Sequence, residues 1–233
     1  MNTDKFTWKG YEWQTKERWG YQHPDKPWAF YSQHCVDIDR DDNLILSISD
    51  SLTNYDKTKI FPMGLVSTTQ ANPLFKYGIY KFTAKLPRGK NLWPALWMYS
   101  WDEWPPELDV MEAWTNKCGN YLMKNIKDMC ITTAYHYDKN DQHESEYLKL
   151  KDCLFKLPQY NFNDYIMEWT PDYIVFYFNK KVIWEITNKD NLKWISEHSK
   201  NGMNVIMNIY PTQNYKDGDM KTPLIIKDFE YIS

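Results

Sequence analysis

No run of this 233-residue chain is apolar for the roughly 20 residues that a membrane-crossing helix requires, so no span is expected. Positive charge is not in excess either. The 28 Lys and Arg face 31 Asp and Glu, a net charge of −3, which leaves no basic surface for nucleic acid. The opening stretch "MNTDKFTWKGYEWQTKERWG" lacks the apolar core of a signal peptide. The chain is therefore expected to work where it is made, to serve in a larger assembly, or to be extracellular after removal of a leader. Cys35, Cys118, Cys130 and Cys153 form no Cys-x-x-Cys or Cys-x-x-His pair, which argues against zinc. Cys118 and Cys130 are near enough in sequence to bridge one loop, but free thiols agree better with the missing export signal. No Gly/Ser tract, internal repeat or composition break divides residues 1–233, which are read as one domain acting as a monomer.

Aromatic side chains are abundant instead. They make up 17% of the chain, with 12 Trp and 18 Tyr, against an ordinary globular background of 42% apolar and 25% charged residues. Such a content serves a heavily aromatic core, a surface for flat and partly apolar ligands such as sugar rings, or both.

Short segments with strand character follow one another. "NLILSISD" alternates Leu44, Leu46 and Ile48 with polar residues. Then come residues 64–70, 77–87, 93–100 and 130–138, and "DYIMEWTPDYIVFYFNKKVIWEIT" reads as three strands. Thr170-Pro171-Asp172 supplies one turn and Asn179-Lys180 a tight hairpin. "MNVIMNIYP" and "PLIIKDFEYIS" close the chain, and the one helix expected is 189–199, capped by Asp190 or Asn191. Many strands with almost no helix predict an all-β sandwich or barrel. Residues 1–35, with Trp8, Trp13, Trp19 and Trp28 among prolines and charges, are expected to wrap it as loops.

The segment "WPPELDVMEAW" poses a puzzle, because Glu107, Asp109 and Glu112 are spaced by two and then three. A regular strand would send Glu112 to the opposite face, and a helix would gather none of them. A β-bulge at Val110-Met111 resolves this by adding one unpaired residue and returning Glu112 to the face of the other two. The outer acids would then lie about 13 Å apart along the strand at roughly 3.3 Å per step. Leaning together on a concave sheet, they would approach the ~5–5.5 Å of a retaining glycosidase, in which one carboxylate attacks and the other protonates the leaving oxygen. The competing readings are a solvated acidic face and a calcium site, though no Asn or Gly turn pattern accompanies these acids.

With these residues quoted, the chain resembles glycoside hydrolase family 16. "ELDVMEAW" is similar to its bulged E-x-D-x-x-E signature, "YGIYKFTAKLPRGKNLWPALWMYS" to the segment before it, and "TTAYHYD", "NDYIMEWTPDYIVFYFNKKVI" and "KDFEYIS" to later strands in the same order. The resemblance runs from about residue 36 to the end. It implies a β-jelly roll of two curved antiparallel sheets with a concave cleft for a polysaccharide, and an endo-acting hydrolase of β-1,3- or β-1,3/1,4-glucan. Galactans such as agarose or carrageenan, and a non-catalytic lectin-like jelly roll, are the alternatives. Glu107 is implied as nucleophile, Glu112 as acid/base and Asp109 as the assisting acid. Trp93, Trp97, Trp104 and Trp114 are candidate sugar platforms, and His136 a candidate partner of substrate or acid/base. No cofactor is required on this reading; a structural calcium at Asp228 is the family's option. The chain departs from the family at Cys35-Val36, at Asn43 in place of a turn glycine, and at Asn179-Lys180. Glucans rather than charged glycans are favoured because the segments around the acids bring few cations besides Arg88 and Lys90.

Overall fold

In the computed structural model the described residues are 4–53, 59–115, 129–139, 142–150 and 159–233, with only the backbone described at 129 and 130. The chain starts with β1 (Lys5–Trp8), β2 (Tyr11–Gln14), β3 (Ala29–Tyr31), β4 (Val36–Ile38), β5 (Leu44–Leu46), β6 (Leu52–Thr53) and β7 (Lys59–Met63). Then follow β8 (Leu65–Thr68), β9 (Gly78–Lys85), β10 (Arg88–Gly89), β11 (Leu92–Ser100), β12 (Glu107–Thr115), β13 (Met129–Lys139) and β14 (Gln142–Lys149). It ends with β15 (Asn163–Trp169), β16 (Ile174–Phe178), β17 (Lys181–Ile186), helix α1 (Lys189–Glu197), β18 (Met203–Pro211), β19 (Met220–Thr222) and β20 (Leu224–Ile232).

Two antiparallel sheets form a β-jelly roll. One has the order β1-β2-β8-β18-β11-β12-β13-β14, the other β17-β16-β15-β9-β20-β5-β4. Period-two patterning explains the outer sheet: along β15, Asn163, Tyr165, Met167 and Trp169 are buried while the residues between them are half-buried. β18 is buried at every position, as a central strand with one face on the core and the other under a cleft must be. Aromatic contacts tie the sheets together. Phe229 of β20 packs on Tyr11 and Trp13 of β2, in the other sheet, at 5.1 and 5.4 Å between ring centroids.

Part of the N-terminal segment read as loops is strand. β1 and β2 pair as a hairpin at the edge of the eight-stranded sheet, because Trp8 and Trp13 are buried on its inner face. The edge strand β14 had no signature in the sequence, since nearly all its residues are exposed and no apolar alternation marks it. One turn assignment also shifts. Asn43 does not take the left-handed conformation; Asp42 does, with φ 60°, while the Asn43 side chain donates to both Asp39 carboxylate oxygens at 3.1 and 2.9 Å. Asn179 is left-handed as expected, with φ 55°. Cys35 is a buried free thiol near the Ser49 hydroxyl; the side chains of Cys118, Cys130 and Cys153 lie outside the described residues.

The helix cap is Asn188, not Asp190 or Asn191. Its side-chain oxygen accepts from the backbone N–H of both, at 3.1 and 3.3 Å, satisfying two of the donors that a helix start leaves unpaired. Asn188→Ala should lower stability by about 1 kcal/mol, and Asp190→Ala by clearly less, in urea unfolding. Equal losses would show that the cap contributes nothing.

Candidate active site

The bulge sits where the spacing of the acids requires it. Against β13, Asp109 pairs with Ala134 and Glu112 with Thr132, so Val110 and Met111 together face Thr133 alone. Against β11, Trp97 pairs with Asp109 and Leu96 with Met111, which leaves Val110 as the surplus residue. The Thr133 hydroxyl donates to the Asp109 carbonyl at 2.7 Å and holds the distorted backbone. Alternation restarts beyond the bulge, and all three acids line one cleft of about 520 Å³.

These carboxyl groups are not a solvated face. Asp109 is 1% exposed, and Glu107 and Glu112 are only partly accessible. Each glutamate receives an indole N–H: Trp104 Nε1 donates to Glu107 at 2.6 Å and Trp93 Nε1 to Glu112 at 3.0 Å. His136 Nε2 lies 3.2 Å from Asp109 Oδ2 and 3.7 Å from Glu107 Oε1. The imidazole therefore meets the middle acid and Glu107, with no bond to Glu112. Burial, then the Asp109 charge, pushes the Glu107 carboxyl up to about 8. Burial and Glu112 hold Asp109 well above the usual range, and burial raises Glu112 against the opposing pull of its Trp93 bond. Three neighbouring carboxyls in a poorly hydrated cleft share fewer than three negative charges.

The tryptophans divide by exposure. Trp93 and Trp97 share the cleft wall, as their spacing of four requires. Trp93 stacks on Trp114 at 5.7 Å, so Trp114 backs Trp93 and is absent from the cleft lining. Trp97 stacks on Tyr99 and donates Nε1 to Asn208 at 2.6 Å. Trp104, 49% exposed at the rim, offers the most open ring.

Several lining residues left no local signal. Arg18, Trp19, His23 and Lys26 enter the cleft from the segment between β2 and β3, some 80 residues before the acids. Trp28 Nε1 anchors that segment by donating to the Pro211 carbonyl at 2.9 Å. Arg18 donates to the Ser100 and Trp101 carbonyls, and Lys26 Nζ sits 5.1 Å over the Trp93 ring and 5.3 Å over Tyr210. The cations of the cleft are thus Arg18 and Lys26; Arg88 lies on β10 over Tyr160, and neither it nor Lys90 lines the cleft. Asn208 and Tyr210 come from β18, where Asn204 and Asn208 in an otherwise apolar strand were the available hint. Asp228 stands on β20 in the other sheet, accepts from the Phe229 N–H at 3.0 Å, and joins no group of three metal-ligating side chains among the described residues.

An antiparallel jelly roll that gathers three acids in an aromatic-walled cleft has the paired carboxyls that glycoside hydrolysis uses. The model of glycosyl hydrolases family 16 matches residues 26–224, and the chain belongs to that family. It is 30% identical over 165 residues to the glucan endo-1,3-beta-glucosidase A1 of Niallia circulans, covering 64% of this chain and 22% of that protein. Over 138 residues it is 26% identical to the endo-1,3-1,4-beta-glycanase ExsH of Rhizobium meliloti, covering 59% of this chain and 26% of that one. The chain thus spans about a quarter of the length of these relatives. A solved structure of the Bacteroides ovatus mixed linkage glucan PUL (MLGUL) GH16 in complex with G4G4G3G product shares the fold at TM-score 0.71 and 18% identity. That match covers 100% of this chain and 98% of the other.

A buried carboxyl that holds its proton up to about 8 binds it more tightly folded than unfolded, so its contribution to stability falls as pH rises from about 4.5 to about 8. Glu107→Gln removes that penalty. The variant should unfold at the same temperature as wild type near pH 4 and at a higher one near pH 8, where its stability exceeds that of wild type by on the order of a few kcal/mol at most. Glu17, lifted to about 8 mainly by its own burial, also feels the Glu107 charge, so part of the gain near pH 8 comes through Glu17. Identical midpoints at pH 8 would contradict the burial of Glu107.

Proposed function

We propose that the chain is a retaining endo-β-glucanase that hydrolyses β-1,3- or mixed β-1,3/1,4-glucan by double displacement. The observation that carries this reading is the placement of Glu107, Asp109 and Glu112 on one wall of an open cleft, with an indole donor on each glutamate. The names of the Niallia and Rhizobium relatives support the glucan assignment. A linear glucan threads an open cleft, and its pyranose rings present C–H faces to aromatic walls.

Glu107 attacks the anomeric carbon while Glu112, protonated, gives its proton to the leaving oxygen; Glu112 then takes a proton from the water that cleaves the glycosyl ester. Asp109, between them, shares a proton with Glu107 and lets that group ionise as the sugar approaches. Trp104 donates to one Glu107 oxygen and holds it in line, while the His136 ring stands 3.7 Å from the other. The two cations do not make the cleft basic, because four acids, Asp25 with Glu107, Asp109 and Glu112, line it beside them, which agrees with an uncharged glycan.

Reducing ends released from laminarin, lichenan, agarose and carrageenan test the proposal. Release from laminarin or lichenan is expected, with Glu107→Gln losing activity by more than about a thousandfold while still binding oligosaccharide. Binding without release by the wild type would make the protein a glycan-binding jelly roll, and release from the galactans alone would overturn the glucan assignment.

A further inference from the structure

His143 plays no part in the chemistry above, yet it reaches the acid cluster. It stands on the exposed edge strand β14, paired across the hairpin with Asp138 of β13. Its Nε2 is 2.9 Å from His136 Nδ1, and the two rings are parallel to within 5° at 5.1 Å. The other nitrogen of His136 meets Asp109 at 3.2 Å. Trp104, which donates to Glu107, lies over the His143 ring at 4.9 Å. A continuous line of hydrogen-bonding atoms therefore runs from a buried carboxyl, through one half-buried imidazole, to an exposed one.

We propose that His143 is the outer member of a proton relay, Asp109–His136–His143, that loads and unloads the acid cluster from solvent. A neutral imidazole carries one N–H, so the chain has two complementary states. In one, the Asp109 hydroxyl donates to His136 Nε2, His136 Nδ1–H donates to His143 Nε2, and His143 carries its proton on Nδ1. In the other, Asp109 is ionised and accepts from His136 Nε2–H, while His136 Nδ1 accepts from His143 Nε2–H. The first becomes the second when Asp109 gives its proton to His136, His136 gives its Nδ1 proton to His143, and His143 gives its own Nδ1 proton to water. One proton leaves Asp109, one reaches solvent, and both rings end neutral.

The relay rests on the retaining reading for its use. While Glu107 is anionic, Asp109 beside it keeps a proton. Once Glu107 is esterified to sugar its charge is gone and Asp109 can release that proton, which must return when the ester is cleaved. A sugar in the cleft shuts out the water that would otherwise carry it. The charged and titratable groups facing His143 are His136 and Asp138 from β13, and Glu107 and Asp109 from β12 behind His136; Glu144 adjoins it on β14, and Lys26 and Glu112 act on the cluster from across the cleft.

The test compares wild type, His143→Ala and His143→Gln. Glutamine keeps a donor for His136 Nδ1 but cannot pass a proton on. Both variants should lower kcat by roughly tenfold, well short of the ~10²–10⁴ of a direct general acid or base, with KM unchanged and the pH profile of kcat altered. Wild-type kcat and profile in His143→Ala, or full rescue by His143→Gln, would overturn the relay. A second readout needs neither turnover nor a folded variant: in ¹⁵N-labelled wild type, the two imidazoles should show a coupling through their shared hydrogen bond, and its absence would also overturn the proposal. If wild type releases no sugar from any glucan, the function proposed above fails while the imidazole coupling still judges the relay.

Discussion

Between Asp109 and Glu112, β12 carries two residues where β13 carries Thr133 alone. The direction of every side chain before and after that point depends on this mismatch. Without the surplus residue, Glu112 would turn into the core among Leu96, Met98 and Leu108, where a carboxylate would cost several kcal/mol to desolvate. With it, Met111 takes the core position and Glu112 returns to the cleft. The strain of a broken ladder is met locally, by the Thr133 hydroxyl on the Asp109 carbonyl. A bulge is thus the smallest backbone change that converts an alternating strand into a convergent acidic site.

Convergence has a thermodynamic cost that the surrounding side chains reduce without removing. The acids sit in a wall of tryptophan and tyrosine, so burial raises all three carboxyls. Indole donors from Trp93 and Trp104 and the imidazole of His136 return part of the lost hydration, and they do so at defined oxygens. Groups placed for solubility would be paired with mobile surface cations; these are paired with rigid rings. A fold that holds such a cluster gives up stability for readiness to exchange protons.

The parts of this molecule legible in its sequence are those set by local periodicity. The alternation in β5, β9 and β15 and the left-handed turn at Asn179 mark the strands, and the two-then-three spacing of the acids required a bulge where one is found. What local pattern could not reveal falls into two kinds. One is structure with no burial to pattern it, such as β14, whose exposed residues form a strand only because β13 offers a free edge. The other is geometry across long sequence separations. Nothing near Lys26 foretells that it meets Trp93 and Tyr210, and nothing near Trp93 foretells that its ring is shared between Trp114 and Lys26. All four candidate tryptophans were expected to serve as sugar platforms; packing gives Trp114 to support, Trp93 and Trp97 to the wall and Trp104 to the rim.

If the bulge brings the Glu107 and Glu112 carboxyls to the ~5–5.5 Å separation of a retaining pair, hydrolysis proceeds through two displacements at one carbon. Proton NMR of the reaction in its first minutes, before the new reducing end equilibrates, reads this directly. Under double displacement the β-anomer of the product appears first and the α-anomer follows by mutarotation. An α-anomer formed first would mean a single displacement by water, and the arrangement of acids described for β12 would then not be the one that cleaves the glycan.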